Sequence, residues 1–166
     1  MNSKKLCSII VPVFNEEEVL DIFWSRLESA IKESEFRNKH KTEILFIDDG
    51  STDKSVEFLN LIQNNSKKIK IKVISLTRNF GHQSALICGY RECQGNFIVT
   101  IDADLQDPPE LIVELISKCL AGSDIVMAQR TQRKGESFFK KITAHMYYSG
   151  LNFFSDKYPI ISSGLL

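Results

Sequence analysis

Cys7-Ser8-Ile9-Ile10-Val11-Pro12-Val13 is apolar at nearly every position. A strand with one wet face alternates apolar and polar side chains, whereas a strand covered on both faces reads as a continuous apolar run. The segment therefore predicts a strand inside a sheet with helices on both sides. Asn15 and then Glu16-Glu17-Glu18 follow, acids suited to the first turn of a helix. Leu20, Phe23, Trp24, Leu27, Ala30 and Ile31 then keep the helical spacing of about 3.6 residues expected of a buried stripe.

The same alternation continues along the chain. Ile44–Ile47 is a predicted strand, Asp48-Asp49-Gly50-Ser51 a turn, and Thr52 to about Gln63 a helix through Val56, Leu59 and Ile62. Ile71–Leu76 is a third strand, followed through Arg78-Asn79-Phe80-Gly81-His82 by a helix carrying Ala85, Leu86, Cys88 and Gly89. Phe97–Ile101 is a fourth strand. Asp107 as cap, Pro108 at the first helical position and Glu110 two residues on predict a helix with Leu111, Ile112, Leu115, Ile116 and Cys119 on its apolar face. Asp124–Ala128 is expected to be one further strand. Strands separated by helices of this length make a single α/β domain with a mostly parallel sheet and helices on both faces.

Composition removes several classes of function. Lys+Arg and Asp+Glu both number 21, so no global basic surface suits nucleic acid. The four cysteines are scattered without a Cys-x-x-Cys pair, and three histidines do not complete a zinc site; they read as core residues in a reducing cytosol. The N-terminal apolar run is short and broken by Pro12, as in a strand and not a signal peptide. No apolar stretch reaches the roughly 18–20 residues that span a bilayer, so this chain alone is not expected to be an integral membrane protein.

Ligands of open parallel sheets bind beyond the carboxyl ends of the strands. Here those ends carry Asn15-Glu16, Asp48-Asp49-Gly50, Arg78-Asn79 and Asp102-Ala103-Asp104. Asp102 and Asp104, two residues apart where a strand ends, can leave the sheet edge together and hold a hard cation such as Mg²⁺ or Mn²⁺ alongside substrate phosphates. An Asp-rich surface turn fits the same pair, and Asp-x-Asp alone does not decide. No Gly-x-Gly-x-x-Gly follows the first strand and no P-loop is present, which disfavours a dinucleotide dehydrogenase and a P-loop NTPase. A diphosphate would then be met by metal and basic side chains, with Arg130 a candidate.

Val11-Pro12-Val13-Phe14-Asn15-Glu16-Glu17, Ile47-Asp48-Asp49-Gly50-Ser51-Thr52-Asp53, Arg78-Asn79-Phe80-Gly81 and Asp102-Ala103-Asp104-Leu105-Gln106-Asp107-Pro108, in this order, resemble family 2 glycosyltransferases of the GT-A (Rossmann-like) fold. Within that family the chain is most similar to the branch that glycosylates polyprenyl phosphates. The resemblance implies transfer of a sugar, with inversion, from a nucleotide-sugar donor, UDP-linked on the bacterial likeness, to a lipid phosphate such as undecaprenyl phosphate. It implies that Pro12, Phe14 and Glu16 line the nucleobase and ribose pocket, that Asp48 and Asp49 serve the nucleotide, and that Asp102, Ala103 and Asp104 face the donor. Asp102, Asp104 and Gln106 would form the metal edge, with Asp102, Asp104 and Arg130 carrying the catalytic charge. A solvated Arg at a strand end is the plainer reading of Arg130. His82 could touch phosphate, although a lone histidine is more often structural.

Residues 1–135 are expected to form the nucleotide-sugar-binding domain and residues 136–166 an acceptor-side segment. There Phe138, Phe139, Ile142, Met146, Tyr147, Tyr148, Leu151, Phe153 and Phe154 mix with Lys140, Lys141 and His145. A basic aromatic helix of this kind can lie in a membrane interface and attract an anionic lipid; packing on the sheet or on a partner domain is the alternative. The resemblance thus implies a peripheral protein at the cytoplasmic face of the inner membrane, and exposed aromatics would also support a homo-oligomer. An acceptor-side motif of the family is not found before Leu166, so donor and metal binding with weak or absent transfer is expected. The rivals are a catalytically dead nucleotide-sugar module acting as a partner subunit, and a nucleotidyltransferase. The latter normally has a glycine-rich N-terminal loop with a basic residue, which Val11–Glu18 lacks.

Overall fold

The computed structural model describes residues 4–34 and 40–128. Strand β1 (Leu6–Val13) leads to helix α1 (Leu20–Glu33), β2 (Lys41–Asp48), α2 (Ser55–Asn65), β3 (Lys70–Ser75), α3 (His82–Glu92), β4 (Phe97–Thr100) and α4 (Leu111–Leu120). Among the described residues all pairings are parallel and the strand order is β3-β2-β1-β4. β1 lies between β2 and β4, which explains its continuous apolar run: every residue from Cys7 to Val13 is buried.

Alternate residues of the central strands feed two cores. Ile9, Val11, Val13, Ile44 and Phe46 pack with Leu20, Phe23, Leu27 and Ile31 of α1, Leu59 and Ile62 of α2, and Ile112 and Ile116 of α4. On the opposite face Ile10, Leu45 and Ile47 meet Ala85 of α3. α3 approaches closely because Gly89 faces Ile10: a Cβ there would stand 2.4 Å from Ile10 Cγ2. The expected mostly parallel sheet with helices on both faces is present.

Four features differ from the sequence reading, the first being that α1 begins at Leu20 and not within Glu16–Glu18. α2 begins at Ser55 and not Thr52, because the backbone of residues 51–54 is spent on a turn stitched to the loop after β1. α4 begins at Leu111, preceded by a turn in which Leu111, Ile112 and Val113 donate to the carbonyls of Pro108, Pro109 and Glu110. Glu110 makes a forked contact with Arg26 of α1 (Nε–Oε1 2.9 Å, Nη2–Oε2 2.7 Å). Finally, Asp124–Ala128 is not a strand. Its apolar residues suit one, but a strand exists only through a ladder partner, and Ile125 and Met127 stay exposed. The boundary expected near residue 135 and the basic, aromatic segment beyond it lie outside the described residues. No helix among the described residues is long and apolar enough to cross a membrane.

Candidate functional site

β1 continues into β2 and β3 on one side, while β4 pairs with β1 on the other. The strand order therefore reverses between β1 and β4, and the crevice at their carboxyl ends is the place where such sheets bind ligands. A cleft of about 250 Å³ opens there, with Pro12, Val13, Phe14 and Glu16 on one wall and Asp102, Ala103 and Asp104 on the other. Asp49, Asn79, Gly81, His82 and Ala85 complete it. Residues 12–16 and 102–104, far apart in the chain, thus face each other because β1 and β4 are neighbours.

Each wall is held by local bonds. Asn15 adopts a left-handed conformation (φ 54°) at the end of β1. Its side-chain oxygen accepts the Thr52 N–H at 2.8 Å, while its own N–H donates to Ser51 Oγ at 3.0 Å. Glu16 N–H donates to Ser55 Oγ, Glu17 N–H to Asp53, and Lys54 N–H to the Glu17 carboxylate. Glu16 and Glu17, read from sequence as part of a helix first turn, are therefore ties between two strand-end loops. On the other wall Ile101 N–H donates to Ile10 O, and Leu105 is left-handed (φ 61°) with its side chain on the core. Leu105 in that conformation closes a tight turn in which Gln106 N–H donates to Asp104 Oδ1 at 3.0 Å. A residue with a Cβ held there carries strain of about 1–2 kcal/mol, which the packing of the partly buried Leu105 side chain against the core offsets.

Acidic side chains dominate the cleft. Burial raises the Glu16 carboxyl above its ordinary range, and the charges of Asp104, Asp53 and Asp102 raise it further. Among the described residues His82 is the one basic side chain lining the cleft, with Nε2 3.9 Å from Asp102 Oδ1. Asp102 and Asp104 supply a pair of hard oxygen donors, the ligand type that suits Mg²⁺ or Mn²⁺. Among the described residues no group of three or more His, Cys, Asp or Glu could hold a metal ion. A cation here would rely on the aspartates and on ligands from a substrate, the usual pattern for Mg²⁺ with phosphates.

Pro12, Phe14, Glu16, Asp49, Asp102, Ala103 and Asp104 thus share one cleft. Asp48 does not line it: it is buried, accepts the Ser51 N–H, and borders a neighbouring groove with Phe14, Gly50 and Arg78. Gln106 is exposed beyond the cleft wall. Arg130 lies outside the described residues. Val13 and Ala85 were missed as wall residues, since an apolar strand end and a small residue in a first helical turn look like ordinary core in sequence.

Residues 8–162 match the family model described as glycosyl transferase family 2. The chain belongs to that family. An uncharacterized glycosyltransferase of Bacillus subtilis, YkcC, is 48% identical over 149 residues, covering 90% of this chain and 44% of that protein. A prophage bactoprenol glucosyl transferase homolog of Escherichia coli is 40% identical over 141 residues, covering 85% and 44% respectively. This family 2 chain therefore spans less than half the length of these relatives. Among solved structures, a mannosyltransferase of Pyrobaculum calidifontis in complex with GDP-Man and Mn²⁺ superposes with a TM-score of 0.62. The identity is 22%, with 78% of this chain and 37% of that one covered. The likeness shows a common fold, and the family 2 domain here is of the GT-A type.

Proposed function

We propose that the protein transfers a sugar from a nucleotide-sugar donor, a UDP-sugar, to a polyprenyl phosphate with inversion at the anomeric carbon. The observation that carries this reading is the meeting of Pro12, Phe14 and Glu16 with Asp102, Ala103 and Asp104 in one cleft at the sheet's switch point. The match to a bactoprenol glucosyl transferase homolog supports the lipid acceptor, and the solved relative with GDP-Man and Mn²⁺ supports a metal-bound donor.

Phe14, exposed at the mouth of the cleft, offers a face on which a base can stack. Pro12, Val13 and Asp49 line the same cleft. Asp102 and Asp104, with Gln106 close in sequence, would hold the Mg²⁺ or Mn²⁺. A bound divalent cation supplies Lewis-acid stabilisation of the negative charge that grows on the departing diphosphate. Arg130 is the basic side chain the reading assigns to that diphosphate.

In the transfer, an acceptor phosphate oxygen forms a bond to the anomeric carbon as the bond from that carbon to the nucleoside diphosphate breaks, on opposite faces. A phosphomonoester with a second pKa near ~6 is largely ionised at neutral pH. Such a nucleophile needs little help from a general base, so the task of the cleft is positioning and charge stabilisation. The lipid acceptor places the protein at a membrane surface during reaction.

The test is UDP release from UDP-glucose with and without Mn²⁺, before and after adding undecaprenyl phosphate in detergent. Mn²⁺-dependent release that rises with the lipid is expected. Release of no UDP under any of these conditions contradicts the proposal.

A further inference from the structure

We infer that Asp49 is a positioning residue that sets His82 beside Asp102 by fixing the backbone of Phe80 and Gly81. The inference rests on the nucleotide-sugar reading of the cleft and adds to it a pair of residues acting through one another.

Asp49 is buried at 3% exposure. Its Oδ1 accepts the Phe80 N–H and its Oδ2 the Gly81 N–H, both at 2.8 Å. Successive amides of an extended chain point to opposite sides, so sharing one carboxylate requires the chain to turn here, and Gly81 takes part in that turn with φ 93°. The same two residues define the first turn of α3. The Gly81 carbonyl accepts from Ser84 N–H and Ala85 N–H, and the Phe80 carbonyl from Ser84 Oγ. His82 is the next residue, so its placement follows directly from the amides that Asp49 holds.

The consequence is felt across the sheet. His82 Nε2 stands 3.9 Å from Asp102 Oδ1, and both side chains are about half exposed at 50% and 54%. That separation is too long for a hydrogen bond and short enough that a small shift of α3 makes or loses the contact. Among the described residues His82 is also the only basic side chain lining a cleft that holds Glu16, Asp49, Asp102 and Asp104. An anionic donor entering that cleft gains from an N–H donor on this wall. Asp49 thus links the end of β2, through the loop after β3, to the end of β4.

The test measures UDP affinity in excess Mn²⁺ for the full chain and for Asp49→Asn, His82→Ala and the double variant. Asparagine keeps one acceptor oxygen and turns its amide group toward a backbone N–H. Each single change is expected to weaken binding about tenfold, the size of one charge-assisted hydrogen bond. The double variant is expected to be no weaker than either single one, because both remove the same contact. Losses that multiply, to about a hundredfold, overturn the inference, since Asp49 would then act on the nucleotide independently of His82. An unaltered affinity in Asp49→Asn also overturns it. A wild type that binds no UDP in Mn²⁺ removes the underlying functional reading as well. Amide hydrogen exchange in the wild type provides a second arm that needs no variant. Slow exchange at Phe80 and Gly81 is expected, and exchange as fast as in a free peptide overturns the clamp whatever the nucleotide result.

Discussion

A Cβ on Gly50 would stand 2.5 Å from the carbonyl carbon of Arg78. The loop at the end of β2 and the loop after β3 therefore touch backbone to backbone, and Leu76 N–H donating to Asp48 O continues the contact. Gly50 also has φ 75°. Gly50→Ala must pay strain in that conformation and push back main chain, so a loss of about 2 kcal/mol or more is expected. Urea unfolding of the two proteins measures it, and a loss below about 0.5 kcal/mol, typical of an unremarkable surface change, contradicts the contact.

Glu43 joins three strands at the opposite end of the sheet. It is buried, accepts from Ser8 Oγ at 2.7 Å, Gln94 N–H at 2.8 Å and Lys70 Nζ at 2.9 Å. Burial pushes its carboxyl up, but the bonds from Ser8, Lys70 and Gln94 and the Lys70 charge together bring it below the ordinary value. A lowered folded pKa gives stability that is present above the usual carboxylate range of about 4.3 and is lost as pH falls through the folded value. Glu43→Gln should cost about 2 kcal/mol at neutral pH and less in acid. The gap between variant and wild type in urea should therefore narrow toward low pH; a gap that widens there contradicts the assignment.

The Arg26–Glu110 fork lies on the surface, with the two side chains 39% and 51% exposed. The hydrogen bond from Arg26 holds the Glu110 carboxyl below its ordinary range. Its contribution is present at neutral pH and lost in acid, and water and salt screen it. A double-mutant cycle with Arg26→Ala and Glu110→Ala should give a small favourable coupling that fades in concentrated salt. Coupling insensitive to salt would show that the pair acts by packing instead.

Cys7 is fully buried, and burial, with lesser effects from Cys119 and Glu43, pushes its thiol up to about 12. A thiol of that kind is almost never thiolate at neutral pH and is inert to alkylation. Iodoacetamide followed by mass spectrometry should label Cys7 only in denaturant. Rapid labelling of the native protein at Cys7 contradicts its place in the core.

Much of this architecture is legible in local pattern. The run Cys7–Val13 signals a central strand because both faces are covered, and Leu20, Phe23, Leu27 and Ile31 signal α1 because one stripe is buried. What local pattern lacks is the identity of the partner. Asp124–Ala128 has a strand's composition, yet pairing is a property of two segments. Glu110 has the spacing of a capping box, but a guanidinium from α1 engages its carboxylate. Asp48 and Asp49 look equivalent in sequence, but only Asp49 lines the cleft. The four strand-end motifs announce a site at one sheet edge. That Glu16 meets Asp102 and Asp104 follows from strand order, which no single motif encodes.

The proposed function requires that Asp102 and Asp104 make nucleotide binding depend on a divalent cation. Calorimetric titration of the full chain with UDP and with GDP, with and without Mn²⁺, tests it most directly when repeated on Asp102→Ala. Mn²⁺ is expected to tighten binding of a nucleotide by about tenfold or more, and Asp102→Ala to abolish the dependence. Nucleotide binding that is absent, or equally tight in wild type and variant without regard to Mn²⁺, contradicts it.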